Sequence, residues 1–360
     1  MNKVRIISAR KALPRYARTT EEIMPSLMEW LRDEDRRKQR KAEKIFQGAG
    51  VRRRFGIMDI ADVFTQTSFE EKNREYASAA VELGERALRT ALNDSNWDPN
   101  SIDIIISVSC TGIMIPSLDA YLVNRVGLPQ DIIRLPVTEM GCAAGISGLI
   151  YARRFLQAHP GSRAAVVAVE CPSATFQHTD RSMANIVSAA LFGDGASCVL
   201  LSSEEEARGT EILTDGMYHF PKATDLMGFD LTNHGLKMIL SPDVPQTITD
   251  HFEALLNPFL EQAGTRQDEL KHLIFHPGGR KIIEATDAVF KEGPANLDKT
   301  AYVLQEYGNM SSATVLYVLE EFLRDPDAQP GLGLMLSFGP GFTAQRILID
   351  LVPETIQNQV

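Results

Sequence analysis

No stretch of this 360-residue sequence runs apolar for the roughly 18 residues a membrane span requires, which argues against an integral membrane segment. Its first residues, MNKVRIISARKALPR, lack the long apolar core of a signal peptide, so a cytoplasmic protein is the expectation. Cysteine is sparse. Cys110, Cys142, Cys171 and Cys198 form no CxxC pair or other metal-like spacing and lie among apolar or small residues, which excludes a disulfide framework and offers no metal site. Low-complexity tracts are missing too. The net charge of −10 argues against non-specific nucleic-acid binding. Against that acidic background, segment 36–54 (RRKQRKAEKIFQGAGVRRR) carries nine basic residues and the single acid Glu43. Such a run is either a solvated helix face or a place where a phosphorylated substrate is steered.

With 44% hydrophobic and 23% charged residues, the chain can build a substantial core. Short apolar strands are expected at 101–109, 131–137, 163–170, 196–202, 271–276 and 331–338, and helices near 68–93, 142–158, 246–263 and 309–324. The alternation defines an α/β class with a buried mixed sheet. Sliding the sequence against itself by 167 residues lays 131–157 over 298–324 without a gap, matching Asp131 with Asp298, Glu139 with Glu306, Gly141 with Gly308, Phe155 with Phe322 and Leu156 with Leu323. The same offset lays the strand before Ser109 over the strand before His276. These matches predict two similar halves, 1–210 and 211–360, related by a pseudo-twofold axis that brings equivalent helix starts together. Cys142 and Asn309 would then face one another.

A free cysteine is usually a small buried hydrophobe. Cys142 has a further possibility, because Gly141 permits a tight turn and the following helix presents N-terminal amides that favour a thiolate. His276 ends an apolar strand, and Pro277, Gly278 and Gly279 leave its imidazole at the sheet edge where α/β proteins bind ligands. The other six histidines sit in loops or helical stretches. Asn309 is either a helix cap or the partner of Cys142. A cysteine, a histidine and an asparagine suit acyl transfer from a thioester, with imidazole and amide donors holding the thioester oxygen as enolate character develops. Decarboxylation of a malonyl thioester requires those donors. Papain-like proteases use a similar set, but their cysteine lies near the mature N-terminus in another local sequence.

TEMGCAAG (138–145), ALFGDGA (190–196), IFHPGG (274–279), EYGNMSS (306–312) and SFGPGF (337–342), in this order, resemble the type III polyketide synthases, the chalcone synthase-like family. The resemblance implies a thiolase-like fold of duplicated αβαβα layers, a homodimer, and malonyl-CoA and acyl-CoA as substrates with no metal or redox cofactor. It implies Cys142 as acyl-carrying nucleophile, His276 and Asn309 as the decarboxylation pair, and Phe192 and Met238 as gatekeepers. Met238 departs from the plant phenylalanine. Thr175, Ser311, Ser337 and Gly339 are implied substrate contacts. Ser337 stands where the family usually has glycine, and an altered cavity shape is expected there. The basic residues Arg52, Arg53 and Lys281 are expected to hold the phosphates of coenzyme A. The IFHPGG segment sets the chain apart from ketoacyl-ACP synthase III, which has HQAN there. SCTGIMIPSLDAYL (109–122) and ATFQ (174–177) look more like bacterial alkylresorcinol and alkylpyrone synthases, which use long acyl starters. Two alternatives stand beside that reading: a synthase using malonyl-CoA alone to make a tetrahydroxynaphthalene-type product, and a non-catalytic acyl-CoA-binding protein.

Overall fold

The computed structural model describes residues 2–290 and 295–354. Its main sheet has nine strands in the order His272–Phe275, Gly331–Gly339, Thr343–Leu351, Thr210–His219, Arg5–Ala12, Gly195–Ser202, Arg163–Glu170, Ile104–Val108, Ile133–Val137. Two arms meet in the middle through a short ladder, Arg5 opposite Glu211 and Ile6 opposite Thr210. Outward from that seam both arms run antiparallel, antiparallel, then parallel. This is the duplication expected from the sequence, written in strand direction.

Alternate residues of each strand serve different layers, as a two-residue period dictates. Ile104, Ile106, Val108 and Val166 face a central core. That core holds Ile146, Leu149 and Ile150 of helix Ala144–Ala158, Val315, Leu316 and Leu319 of helix Thr314–Leu323, and Met335, Ile347 and Ile349 of the second arm. Ile105, Val167 and Val169 point the other way, onto Leu83 and Leu88 of helix Phe69–Asp94. Leu334, Leu336 and Leu348 cover Phe252, Leu255 and Phe259 of helix Val244–Gln262. The layers therefore run helix, sheet, paired central helices, sheet, helix: a thiolase-like α/β fold. Each fully buried aliphatic side chain contributes roughly 1.5–3 kcal/mol. The two central helices approach so closely that a Cβ on Gly145 would lie 2.2 Å from the Ser312 carbonyl oxygen. Among the described residues no helix is long and apolar enough to cross a membrane.

The predicted strands and helices all form, but the repeat register differs from the gap-free one. Strands Arg163–Glu170 and Gly331–Gly339 start 168 residues apart, and the central helices, starting at 144 and 314, are 170 apart. The structural equivalent of Cys142 is thus Ser312 rather than Asn309. Asp298–Tyr307 explains the slip: it is a helix where its sequence match contains the strand Ile133–Val137. Its buried Thr300, Val303, Leu304 and Tyr307 follow the i, i+3, i+4, i+7 spacing of one helical face, which IRLPV does not.

Candidate active site

Cys142 lies in the one-turn helix Gly141–Ala143 that leads into the first central helix. Gly141 has φ +51°, and a Cβ there would lie 2.5 Å from Pro340 Cδ, so the turn demands glycine twice over. The loop of Pro340 clamps the turn from outside. Ser337 Oγ donates to the Cys142 carbonyl at 2.7 Å. A Cβ on Gly339 would meet Ala143 Cβ at 2.6 Å and the Met140 oxygen at 2.7 Å. Ser337 is fully buried and absent from the cavity wall, contrary to the expectation that it reshapes the cavity: it holds the backbone of Cys142 instead.

His276 follows strand His272–Phe275, where its backbone N–H donates to Leu336 O at 2.9 Å. Its side chain is 3% exposed, and neither ring nitrogen has a hydrogen-bond partner among the described residues. Asn309 sits in the link between Tyr307 and the turn Ser311–Ala313. Its Oδ1 accepts from the Ser311 N–H at 2.8 Å and from Thr314 Oγ1 at 3.3 Å. A backbone N–H can only donate, so the amide orientation is fixed, and Nδ2, which donates to Gly278 O at 3.3 Å, is the free-facing end. Asn309 is not a helix N-cap, since Met310 and Ala313 occupy those positions, and the bonds of its Oδ1 leave the amide donor available. Backbone bonds from Asn309 N to Leu191 O (2.9 Å) and from Gly193 N to Asn309 O (3.1 Å) tie it to the segment bearing Phe192.

Cys142, His276 and Asn309 line one cavity of about 790 Å³, together with Phe192, Met238, Ser311 and Lys281. Met238 pairs with Phe229 across a two-stranded hairpin, and both side chains face the cavity. Met183, Val187, Leu191 and Leu240 make much of the remaining wall apolar, and Lys41, Lys44 and Arg280 join Lys281 as its cations. Thr175, Ser337, Gly339, Arg52 and Arg53 do not line it. Thr175 is buried beside a smaller recess, where its hydroxyl donates to Pro172 O at 2.8 Å. Arg52 and Arg53 pair with Glu306, at 2.5 Å and 3.3 Å, away from the cavity wall on which they were expected. Sequence reasoning singled out Arg52 and Arg53 within the basic segment and passed over the helical spacing of Lys41 and Lys44. Positions 41, 44, 45 and 48 share a face of helix Arg36–Gly48 that looks into the cavity, whereas Arg53 already belongs to the following strand.

Ser311, expected as a substrate contact, lines the cavity, and one further group, Glu170, escaped sequence reasoning. Ser311, at φ +47°, puts its hydroxyl 3.4 Å from Cys142 Sγ and 3.5 Å from Cys110 Sγ. Beneath them the fully buried Glu170 carboxylate accepts from Cys110 N (3.0 Å), Thr111 Oγ1 (2.8 Å) and Ser312 Oγ (2.5 Å). The signal was an acid closing the otherwise apolar strand RAAVVAVE. Electrostatically the site differs from the thiolate expected at a helix start. Enclosure pushes the Cys142 thiol up to about 12, with the Ser311 hydroxyl opposing weakly and the Glu170 charge adding to the rise. Burial alone lowers His276 to about 3. Both groups rest uncharged, and no hydrogen bond joins them among the described residues. A neutral imidazole with an open lone pair can accept a thiol proton; an imidazolium could not.

A thiolase-like fold carrying a cysteine turn, a strand-end histidine and an amide in one apolar cavity defines a class of thioester-condensing enzymes. The chain belongs to the chalcone and stilbene synthase family: the N-terminal domain model matches residues 3–205 and the C-terminal domain model residues 212–353. It is similar to the 1,3,6,8-tetrahydroxynaphthalene synthase of Streptomyces peucetius subsp. caesius, 33% identical over 85% of this chain and 82% of that one. The phloroglucinol synthase of Pseudomonas fluorescens is 29% identical over 84% of this chain and 87% of its own length. Among solved structures, the 1,3,6,8-tetrahydroxynaphthalene synthase of Streptomyces coelicolor A3(2), a bacterial type III polyketide synthase, superposes with a TM-score of 0.90 at 29% identity, over 96% of this chain and 99% of that one.

Proposed function

We propose that this chain extends an acyl-CoA starter with malonyl-CoA, using Cys142, His276 and Asn309, and cyclises the product. The observation that carries the reading is the convergence of these three side chains on one cavity from three separate chain segments. His276 accepts the Cys142 proton as sulfur attacks the starter thioester, and coenzyme A leaves as its thiolate, which takes a proton from solvent. A malonyl thioester then places its carbonyl oxygen against Asn309 Nδ2 and the His276 ring, now a donor. The bond to its carboxylate breaks, carbon dioxide departs, and the enolate attacks the acyl group on Cys142, releasing the thiolate. Decarboxylation itself supplies the nucleophile, so coenzyme A thioesters suffice without a further cofactor. Lys41, Lys44, Arg280 and Lys281 take the coenzyme A phosphates.

The apolar wall of Met183, Val187, Leu191, Met238 and Leu240 supports a long-chain starter and an alkylresorcinol or alkyl-α-pyrone product. Desolvating each methylene contributes about 0.8 kcal/mol, so preference should rise steeply with length until the cavity is filled. A second reading, malonyl-CoA as the only substrate and a tetrahydroxynaphthalene-type product, is supported by the Streptomyces relatives. Competition among short and long acyl-CoAs with labelled malonyl-CoA, read by mass spectrometry, separates the two. Product from malonyl-CoA alone, with long starters ignored, would refute the alkyl-starter reading. A homodimer belongs to the proposal: Ile113, Ile115, Ile133 and Leu135 expose apolar surface, Ile115 to 94%.

A further inference from the structure

One wall of the large cavity is a hairpin that belongs to neither arm of the main sheet. Strands Met227–Thr232 and Gly235–Leu240 pair only with each other among the described residues, across the two-residue turn of Asn233 and His234. Met227, Phe229, Met238 and Leu240 of this hairpin line the cavity. A lone two-stranded hairpin is marginal in water, so it keeps one place only through what it is bonded or packed against. At its base the Ser241 N–H donates to Leu226 O at 2.8 Å. Its far end, where the chain turns, is held by two side chains of the N-terminal half that the proposed reaction does not use.

Lys72, one turn into helix Phe69–Asp94, is 2% exposed. Its ammonium donates to Phe176 O at 2.8 Å and to His234 O at 3.4 Å. No carboxylate acts on it among the described residues, and burial alone lowers its pKa. Gln177 is buried as well, and its Nε2 donates to Thr175 O at 2.8 Å and to Leu236 O at 3.2 Å, two residues before Met238. Asn185 fixes the backbone of Gln177 in turn, donating to its carbonyl at 2.9 Å and accepting from its N–H at 3.3 Å. Gly235, at φ +113°, allows the close approach: a Cβ there would lie 3.0 Å from Phe69 Cδ2 and 3.4 Å from Gln177 Nε2. A third link, Lys237 with Asp180 at 3.5 Å, is largely exposed and contributes little. An ammonium buried against carbonyls alone is costly, and a methionine would fill the same space without that cost. What Lys72 supplies is its donors, aimed at two segments remote in sequence.

We propose that Lys72 and Gln177 are positioning residues for chain-length selection: they pin the turn of the hairpin to the N-terminal half and thereby fix Phe229 and Met238 over the growing chain. The proposal rests on chain growth from Cys142 in this cavity. With an anchor removed, the hairpin is held mainly at its base, and its two cavity-facing side chains no longer set one boundary.

Hydrogen exchange over residues 227–240, read by mass spectrometry on the intact protein without substrate, tests the anchor itself. Lys72→Met and Gln177→Met keep side-chain volume and remove the donors. Each should speed exchange in this segment about tenfold and leave the helix Ala144–Ala158 unchanged. Products formed with labelled malonyl-CoA and either hexanoyl-CoA, dodecanoyl-CoA or no added starter then test the consequence. The long-to-short ratio of kcat/KM should move toward one by about threefold or more, and malonyl-CoA alone should give a broader spread of condensation numbers, while malonyl-CoA decarboxylation stays within about twofold of wild type. In a Met238→Ala background the same replacements should shift the ratio far less, because the side chain through which they act is gone. Wild-type exchange in both variants overturns the anchor, and faster exchange with unchanged product lengths overturns its role in selection. If Lys72→Met fails to fold, Gln177→Met decides by the same two outcomes. A wild type inactive on every thioester would refute the reaction proposed for Cys142 and with it the selection role, a result the substrate-free exchange distinguishes from loss of the anchor.

Discussion

The neutral state of His276 can be tested as a stability difference. In the unfolded chain an imidazole titrates at 6.5; in the fold His276 is held to about 3 by burial, with no charged neighbour contributing. The folded state therefore refuses a proton that the unfolded state accepts. Stability is present in full above pH 6.5 and is lost as pH falls from there toward 3. Between about pH 7.5 and about pH 5 this single group removes about 2 kcal/mol, a sizeable part of a typical folding free energy. Other buried acids act the opposite way: Asp194, raised to about 6 by burial, favours the fold as pH falls. Their effects are common to wild type and variant and cancel in a comparison. His276→Gln keeps a polar side chain of similar size and does not titrate, so whatever it costs is independent of pH. Urea unfolding of both proteins at the two pH values, at one protein concentration, should give a double difference of about 2 kcal/mol, the wild type losing more on acidification. If the two proteins lose stability in parallel, His276 is protonated in the fold or already solvated. The argument for a neutral base would then fail.

Loss of the thiol in Cys142→Ala should abolish polyketide formation by mass spectrometry, whereas Cys110→Ala should retain turnover, because Cys110 lines the cavity without occupying a helix-opening turn. Asn309→Ala should lose malonyl-CoA decarboxylation together with condensation, measured as released labelled carbon dioxide; a wild-type rate of release would contradict the amide-donor role. Lys41→Ala with Lys44→Ala should raise KM for acyl-CoA several-fold with little change in kcat, an effect that shrinks at high salt, while Arg52→Ala with Arg53→Ala should act on stability through Glu306 and leave KM alone. Met238→Phe should lower kcat/KM for long starters more than for short ones, since a ring cannot follow the rotamers of an unbranched thioether.

Much of the fold was legible because fully buried strands have few ways to be written. RAAVVAVE and ASCVLLS lie between helical layers on both faces, and only continuous runs of small and β-branched residues suit that setting. The register of the repeat was less legible. Identities such as Gly141 with Gly308 are matches of residue type, but in the second half the helix Asp298–Tyr307 displaces the following turn, and only its helical spacing of buried positions betrays the change. Sequence similarity followed composition, while the fold followed periodicity.

The same distinction explains which cavity-lining residues the sequence could single out. Cys142, His276 and Asn309 could be found because each stands beside glycine or proline at the end of an element, where chain geometry leaves a local mark. The groups that set their electrostatics leave fainter ones, such as the single acid that ends RAAVVAVE. Glu170 reaches the cysteine turn from another strand, Ser311 acts through a left-handed backbone, and the enclosure that keeps thiol and imidazole uncharged is built by residues from across both halves. A helix start by itself favours a thiolate, worth at most ~2 kcal/mol in partly buried settings. Enclosure in the apolar cavity works against the charge and is the larger effect here, since each pKa unit corresponds to about 1.4 kcal/mol. In the proposed reaction Cys142 ionises on demand: proton transfer to His276 accompanies attack on the thioester, which ties formation of the reactive sulfur to the presence of an acyl group to receive it.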